Sequence, residues 1–199
     1  MRPLPDWYEK FRIMKEYGKI DFIKNEINKK LEKEKNNPFL YEFLGDIYMD
    51  EGNKDEAVEM YKKAKEIFKS QHEYKRAVVV LHKEKKINNN MENINEFADL
   101  LIKAGLKEKV KQYYIDVIKE FSANNKIDEI IEFFNKFIEL YPQNLDLKII
   151  MSKIFIMQNK VDKAKDMLFY ELKKAEERRD IGAIEKINEV LDSLEAVNE

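Results

Sequence analysis

At 199 residues the chain is long enough to bury a substantial core, and its 37 basic residues offset 39 acidic ones to a net charge of −2. The two signs are interspersed, which argues against the concentrated basic face of a nucleic-acid binder. With no cysteine there are no disulfides or thiolate metal sites to consider. Lys, Glu, Leu and Ile dominate, Thr is absent, and there are only 5 Gly and 4 Pro, the balance of a mostly helical chain. The opening Met-Arg-Pro-Leu-Pro-Asp lacks the apolar core of a signal peptide, and no run approaches the ~20 apolar residues of a membrane span. A soluble, cytoplasmic protein is expected.

Asn, Gly and Pro break the apolar-periodic runs at Gly18-Lys19, Asn36-Asn37-Pro38, Gly52-Asn53, Gln71-His72, Asn88-Asn89-Asn90, Gly105, Asn124-Asn125, Pro142-Gln143-Asn144, Asn159-Lys160 and Asp180. Between them the pattern predicts helices at 6–17, 20–35, 38–51, 54–70, 73–87, 92–104, 106–122, 126–140, 144–158, 160–178 and 181–197. No window alternates at period two, so no strand is expected. The first helix carries an aromatic face of Trp7, Tyr8, Phe11 and Met14. The last has Ile184, Ile187, Val190, Leu191 and Leu194 on one side and Glu185, Asn188, Glu189, Asp192 and Glu195 on the other, as a terminal cap would.

The third and fourth runs hold the most specific pattern. Leu44-Gly45, Tyr48, Gly52, Ala57, Tyr61 and Ala64 are spaced 1, 3, 4, 5, 4 and 3 apart. Leu44 and Tyr48 lie one turn apart, Gly45 suits a close crossing of two helices, and Gly52 suits a left-handed helix end. Ala57, Tyr61 and Ala64 then form an i, i+4, i+7 stripe. This register resembles the tetratricopeptide repeat, a helix pair with a period of about 34 residues. Lys69 stands where that family usually has Pro, so the second helix runs on to about Ser70. Trp7 corresponds to Tyr41 and Gly18 to Gly52, which makes residues 4–37 a worn first copy.

A longer period runs through the chain: Gly52, Gly105 and Asn159; Ala57, Val110 and Ala164; Tyr61, Tyr114 and Leu168; Tyr74, Ile127 and Ile181; and Ala77, Ile130 and Ile184 recur every 53–54 residues. The resemblance thus implies an all-α, right-handed α–α superhelix of about eleven antiparallel helices in three-helix units of 53–54 residues. It forms one domain over 1–199, with a truncated unit at 1–37 and full units at 38–90, 91–143 and 144–197. The middle helix of each triplet would serve two neighbours.

No catalytic constellation stands out, and no cofactor or metal is expected. His72 and His82, the only histidines, lack the i, i+4 spacing of a helical metal pair. The carboxylate pairs Asp50-Glu51, Asp55-Glu56 and Glu176-Glu177 are sequence neighbours and point to different sides of a helix. The basic runs Lys29-Lys30-Lys33-Lys35 and Lys83-Lys85-Lys86 read as solvated helix C-termini.

The resemblance implies a non-enzymatic protein–protein interaction scaffold whose first helices line a concave groove. On the best copy the groove positions are Phe39, Glu42, Asp46, Met49 and Asp50. Carried along the period they become Glu92, Asn95, Asp99, Ile102 and Lys103, then Asp146, Ile149, Lys153, Ile156 and Met157. Glu42 and Asp46 replace the Lys and Asn with which some members clamp a carboxylate, so the groove reads acidic at this end and apolar toward Met157. A protein partner with basic and apolar anchors is expected. Two alternatives are self-assembly through Trp7, Tyr8 and Phe11 and, less favoured by the charge balance, an RNA-binding helical repeat.

Overall fold

The computed structural model describes residues 3–124 and 126–195. Among the described residues every regular element is an α-helix: α1 (Asp6–Glu16), α2 (Ile20–Lys33), α3 (Pro38–Asp50), α4 (Lys54–Ser70), α5 (Tyr74–Lys85), α6 (Met91–Lys103), α7 (Lys107–Ala123), α8 (Ile127–Leu140), α9 (Leu145–Met157), α10 (Val161–Arg178) and α11 (Ile181–Glu195). The all-α helical-repeat architecture is thus as expected. Each helix begins and ends within two residues of its expected range; positions 196–197 of the last one, and Asn125 in its turn, lie outside the described residues.

One device ends most of these helices. After α3, Gly52 takes φ +81° and Asn53 N–H donates back to Tyr48 O at 2.9 Å, satisfying a carbonyl that the helix leaves open. The same backward bond recurs after α1, α4, α6, α9 and α10. Only three of these six left-handed positions are glycine; His72, Asn159 and Arg179 hold φ 58°, 57° and 56°. Helix starts are periodic as well. The side chains of Asn37, Asn90 and Asn144 accept from the backbone N–H of Phe39, Asn93 and Leu147 at the starts of α3, α6 and α9, a 53- and 54-residue spacing.

The α3–α4 pair is as close as its glycine suggests. A Cβ built on Gly45 would lie 2.5 Å from a ring carbon of Tyr61, so the two helices cross through that one missing side chain. Ala57, Ala64 and Tyr61 are buried along the facing stripe.

The chain divides into two compact units, 1–113 and 114–199, with the boundary inside α7. In the first, α4 packs on both α3 and α5, the double service expected of a middle helix. Alternate helices also meet: Trp7, Tyr8 and Phe11 of α1 pack their rings against Phe43 of α3, and Arg76 of α5 lies over the Phe39 ring. The core of this end is Phe11, Ile23, Ile27, Leu40, Phe43, Leu44 and Ile47. In the second unit Tyr114 stacks on Phe133 and Phe137 with ring centroids 4.4 and 4.1 Å away. There α10 packs on α9 and α11, and Leu168, Ala175, Ile187, Val190 and Leu194 form a core that Ile184 and Leu191 flank. Glu185, Asn188, Glu189 and Asp192 face solvent, as a cap requires; the Glu195 side chain is outside the described residues.

The 53–54-residue period is kept by burial at its second and third positions. Ala57, Val110 and Ala164 are all buried, and so are Tyr61, Tyr114 and Leu168. At the next position Tyr74 is half-buried while Ile181 is 69% exposed. Ala77 is buried and Ile184 half-buried, and the side chains of Ile127 and Ile130 lie outside the described set.

Gly45→Ala is expected to cost about 1–3 kcal/mol, the usual penalty of overpacking, because Tyr61 is buried and cannot swing aside. A chemical-denaturation midpoint equal to that of the wild type would contradict a close α3–α4 crossing.

Candidate partner-binding surface

The five groove positions expected on α3 separate into three environments. Phe39 is 1% exposed and sits edge-on to Phe68 with centroids 5.2 Å apart, so it belongs to the core. Glu42 is also buried, and Asp46 is half-buried. Met49, exposed at 37%, and Asp50 reach solvent, with Asp50 ion-paired to Lys15 of α1.

Glu42 and Asp46 do not make an acidic end. Lys83 of α5 reaches across the layer, its Nζ 2.7 Å from Glu42 Oε1 and 2.8 Å from Asp46 Oδ2. Tyr61 OH donates to Asp46 Oδ1 at 2.8 Å. Burial works against the charge on Lys83, yet Glu42 and Asp46 outweigh it and hold its pKa above the ordinary value. Burial, followed by the field of Glu42, pushes Tyr8 up to about 12, and burial and Asp46 raise Tyr61 as well. Two carboxylates, one ammonium and the Tyr61 phenol therefore form a hydrogen-bonded cluster, in which Glu42 Oε2 alone is buried without a partner. Lys83 is accordingly no solvated helix end, contrary to the sequence-based expectation.

A second cluster lies between α4, α5 and α6. Lys65 Nζ is 3.0 Å from Glu84 Oε2 and 2.6 Å from Glu96 Oε2, and Lys69 Nζ is 2.7 Å from Glu96 Oε1. The Glu84 side chain is fully buried and its Oε1 has no hydrogen-bond partner. Burial opposes the charge on Glu96, but Lys65 and Lys69 more than offset it and lower its pKa. Neither cluster was visible locally in the sequence, since Lys83 is 37–41 residues from its partners and Lys65 is 19–31 from its own.

On α6, Asn95 is half-buried, with its side-chain amide donating to Met91 O, while Glu92, Asp99, Ile102 and Lys103 are exposed. On α9, Ile149 and Ile156 pack against the core of the second unit. Lys153, Asp146 and Met157 are exposed there. Lys153 shares a shallow pocket with Asp146, Ile149, Lys186, Glu189 and Val190. The aromatic N-terminal face is used within the chain: Phe11 is buried and Trp7 and Tyr8 are half-buried against Phe43. The apolar groups exposed at that end are Leu4, Ile13, Tyr17 and Phe22.

The histidines are separate. His72 sits in a turn with its ring nitrogen 3.0 Å from Tyr74 OH, and His82 lies beside the Phe97 ring. Among the described residues no three His, Cys, Asp or Glu side chains are grouped to hold a metal, and no helix is long and apolar enough to cross a membrane.

Residues 40–71 match the family model of the tetratricopeptide repeat. The match covers the α3–α4 pair, which is thus a tetratricopeptide repeat within an all-α helical-repeat fold. Among solved structures the chain is similar to that of a MamA protein, at 21% identity over 87% of this chain and 90% of that one, with a TM-score of 0.40. It is also similar to pilF of Pseudomonas aeruginosa, at 16% identity over 95% and 90% of the two chains, with a TM-score of 0.39. A third is YrrB, described as a TPR protein with an unusual peptide-binding site, at 15% identity over 82% and 97%, with a TM-score of 0.29. No curated protein matches the chain by sequence.

Lys83→Ala is expected to destabilise the protein by about 3 kcal/mol, since it leaves the Glu42 carboxylate buried without its cation. A Glu42→Gln/Lys83→Met double variant should recover part of that loss, and equal melting of all three proteins would argue against the cluster. Glu96 supplies a pH dependence. Its folded pKa lies below the ordinary 4.5, so its contribution is present above that value and is lost as pH falls through the lowered pKa. Thermal melts from neutral pH down to acid should show a shallower decline for Glu96→Gln than for wild type; parallel curves would remove Glu96 from the acid response.

Proposed function

We propose that the chain is a non-enzymatic protein–protein interaction scaffold, holding a peptide or helix of its partner against α3 and α6 of the first unit. The contact residues are Met49 and Asp50 on α3 and Asn95, Asp99 and Lys103 on α6. Ile149 and Lys153 of α9 are the corresponding positions in the second unit. The observation that carries this reading is the solvent exposure of two apolar side chains at equivalent ends of the groove helices, Met49 at 37% and Ile102 at 40%. Methionine is suited to such a place, since its flexible thioether adapts to different apolar shapes. Lys83 offsets one of the two charges of Glu42 and Asp46, and Lys15 pairs with Asp50, so the exposed acidic groups left to meet basic anchors are Glu92 and Asp99.

The test is affinity capture by the immobilised chain, quantified by mass spectrometry. Met49→Lys/Ile102→Lys should lose a partner that the wild type holds, with unchanged helix content. Lys173→Glu, on the exposed side of α10, should keep it. Undiminished capture by the Met49→Lys/Ile102→Lys variant would end the groove reading.

A further inference from the structure

The solvent face of α5 is a second surface, which meets the α3–α6 groove at Lys103. Ala77, Leu81 and Glu84 bury the inner side of this helix. Its outer side carries Lys75, Val79, His82 and Lys86, all exposed and spaced 4, 3 and 4 residues apart. Such spacing aligns side chains on one face, here over roughly 16 Å at 1.5 Å per residue.

The charges on this face are left open. In the same unit Lys15, Lys24, Lys65, Lys69 and Lys83 each have a carboxylate partner. Lys75 and Lys86 have none among the described residues, and Val79 between them is 40% exposed. At the start of α5 the stripe enters a pocket lined by His72, Lys75, Arg76 and Lys103, with Glu73 the one carboxylate on its wall. His82 reports the local field: burial, then Lys86 and Lys85, lower its pKa.

We infer that the α5 stripe docks an acidic segment of a partner protein. This rests on the reading of the chain as an interaction scaffold and adds a chemistry to it that the sequence did not suggest. An extended segment of about five residues spans the stripe, with carboxylates at Lys75 and Lys86 and an apolar side chain on Val79. A nucleic acid fits less well. Its affinity comes chiefly from many phosphate contacts, whereas this face offers few cations around an apolar centre on a chain of net charge −2.

The experiment uses the full chain at low ionic strength. The probe is a fluorescein-labelled pentapeptide with four carboxylates around a central leucine, compared by anisotropy with its amide counterpart and with oligouridine. Wild type should bind the carboxylate peptide and not the amide one. Lys75→Glu/Lys86→Glu, altering two exposed side chains, should raise Kd at least about tenfold with an unchanged circular dichroism spectrum. Met49→Lys/Ile102→Lys should bind the peptide as wild type does, which separates this surface from the groove. Equal binding of the carboxylate and amide peptides, an unchanged Kd in the charge-reversed variant, loss of peptide binding in the groove variant, or tighter binding of oligouridine would each overturn the inference. If it is overturned while the groove variant still loses a captured partner, the scaffold reading stands without it.

Discussion

The contact between Gly45 and Tyr61 is the constraint on which the first unit depends. Only a residue without a side chain lets the Tyr61 ring lie across α3. From there its hydroxyl reaches Asp46, which together with Glu42 receives Lys83 from the next helix of the layer. A steric vacancy on one helix thereby sets the place of a charge two helices later. Burying such a charge is tolerable because its partners are fixed and hydrogen-bonded, and removal of one member leaves the others unpaired.

Several ion pairs in this chain skip a helix. Lys15 joins α1 to α3, Lys83 joins α5 to α3, Lys65 and Lys69 join α4 to α6, and in the second unit Lys186 joins α11 to Asp146 of α9. Adjacent helices are held chiefly by apolar packing, which is tolerant of direction, with ion pairs such as Lys65–Glu84 and Lys148–Glu171 added to it. The skipped pairs are directional and fix how far one helix pair is displaced from the next. Exposed members of the set, such as Lys186 with Asp146, contribute little energy, whereas the buried Glu42 and Glu84 have no solvent to fall back on.

The helices were legible because their period and punctuation are local. Asn37, Asn90 and Asn144 announce three starts, and Gly18, Gly52 and Gly105 announce three ends. The candidate site was less legible. Of the positions the register selected, Met49, Asp50, Asp99 and Lys103 reach solvent, whereas Phe39 and Glu42 are buried. Phe39 misleads because the next layer, through Arg76 and Phe68, closes over it. Glu42 misleads because a carboxylate suggests solvent, and the lysine that internalises it lies 41 residues on. The basic run after Leu81 shows the same difficulty in reverse: Lys83 turns inward and Lys86 stays out, although three residues separate them.

The shared helix ending has a consequence for inheritance. The closure is written in backbone torsion and in a carbonyl's need for a donor, and it leaves the side chain at the left-handed position almost unspecified. Glycine relieves strain there, yet histidine, asparagine and arginine occupy the same geometry in this chain. A repeat array closed in this way can lose the letters that mark its joints while keeping the joints. One copy, at 40–71, retains enough of those letters to match its family. Where His72, Asn159 and Arg179 stand at the joint, the hinge is kept without the glycine that would spell it.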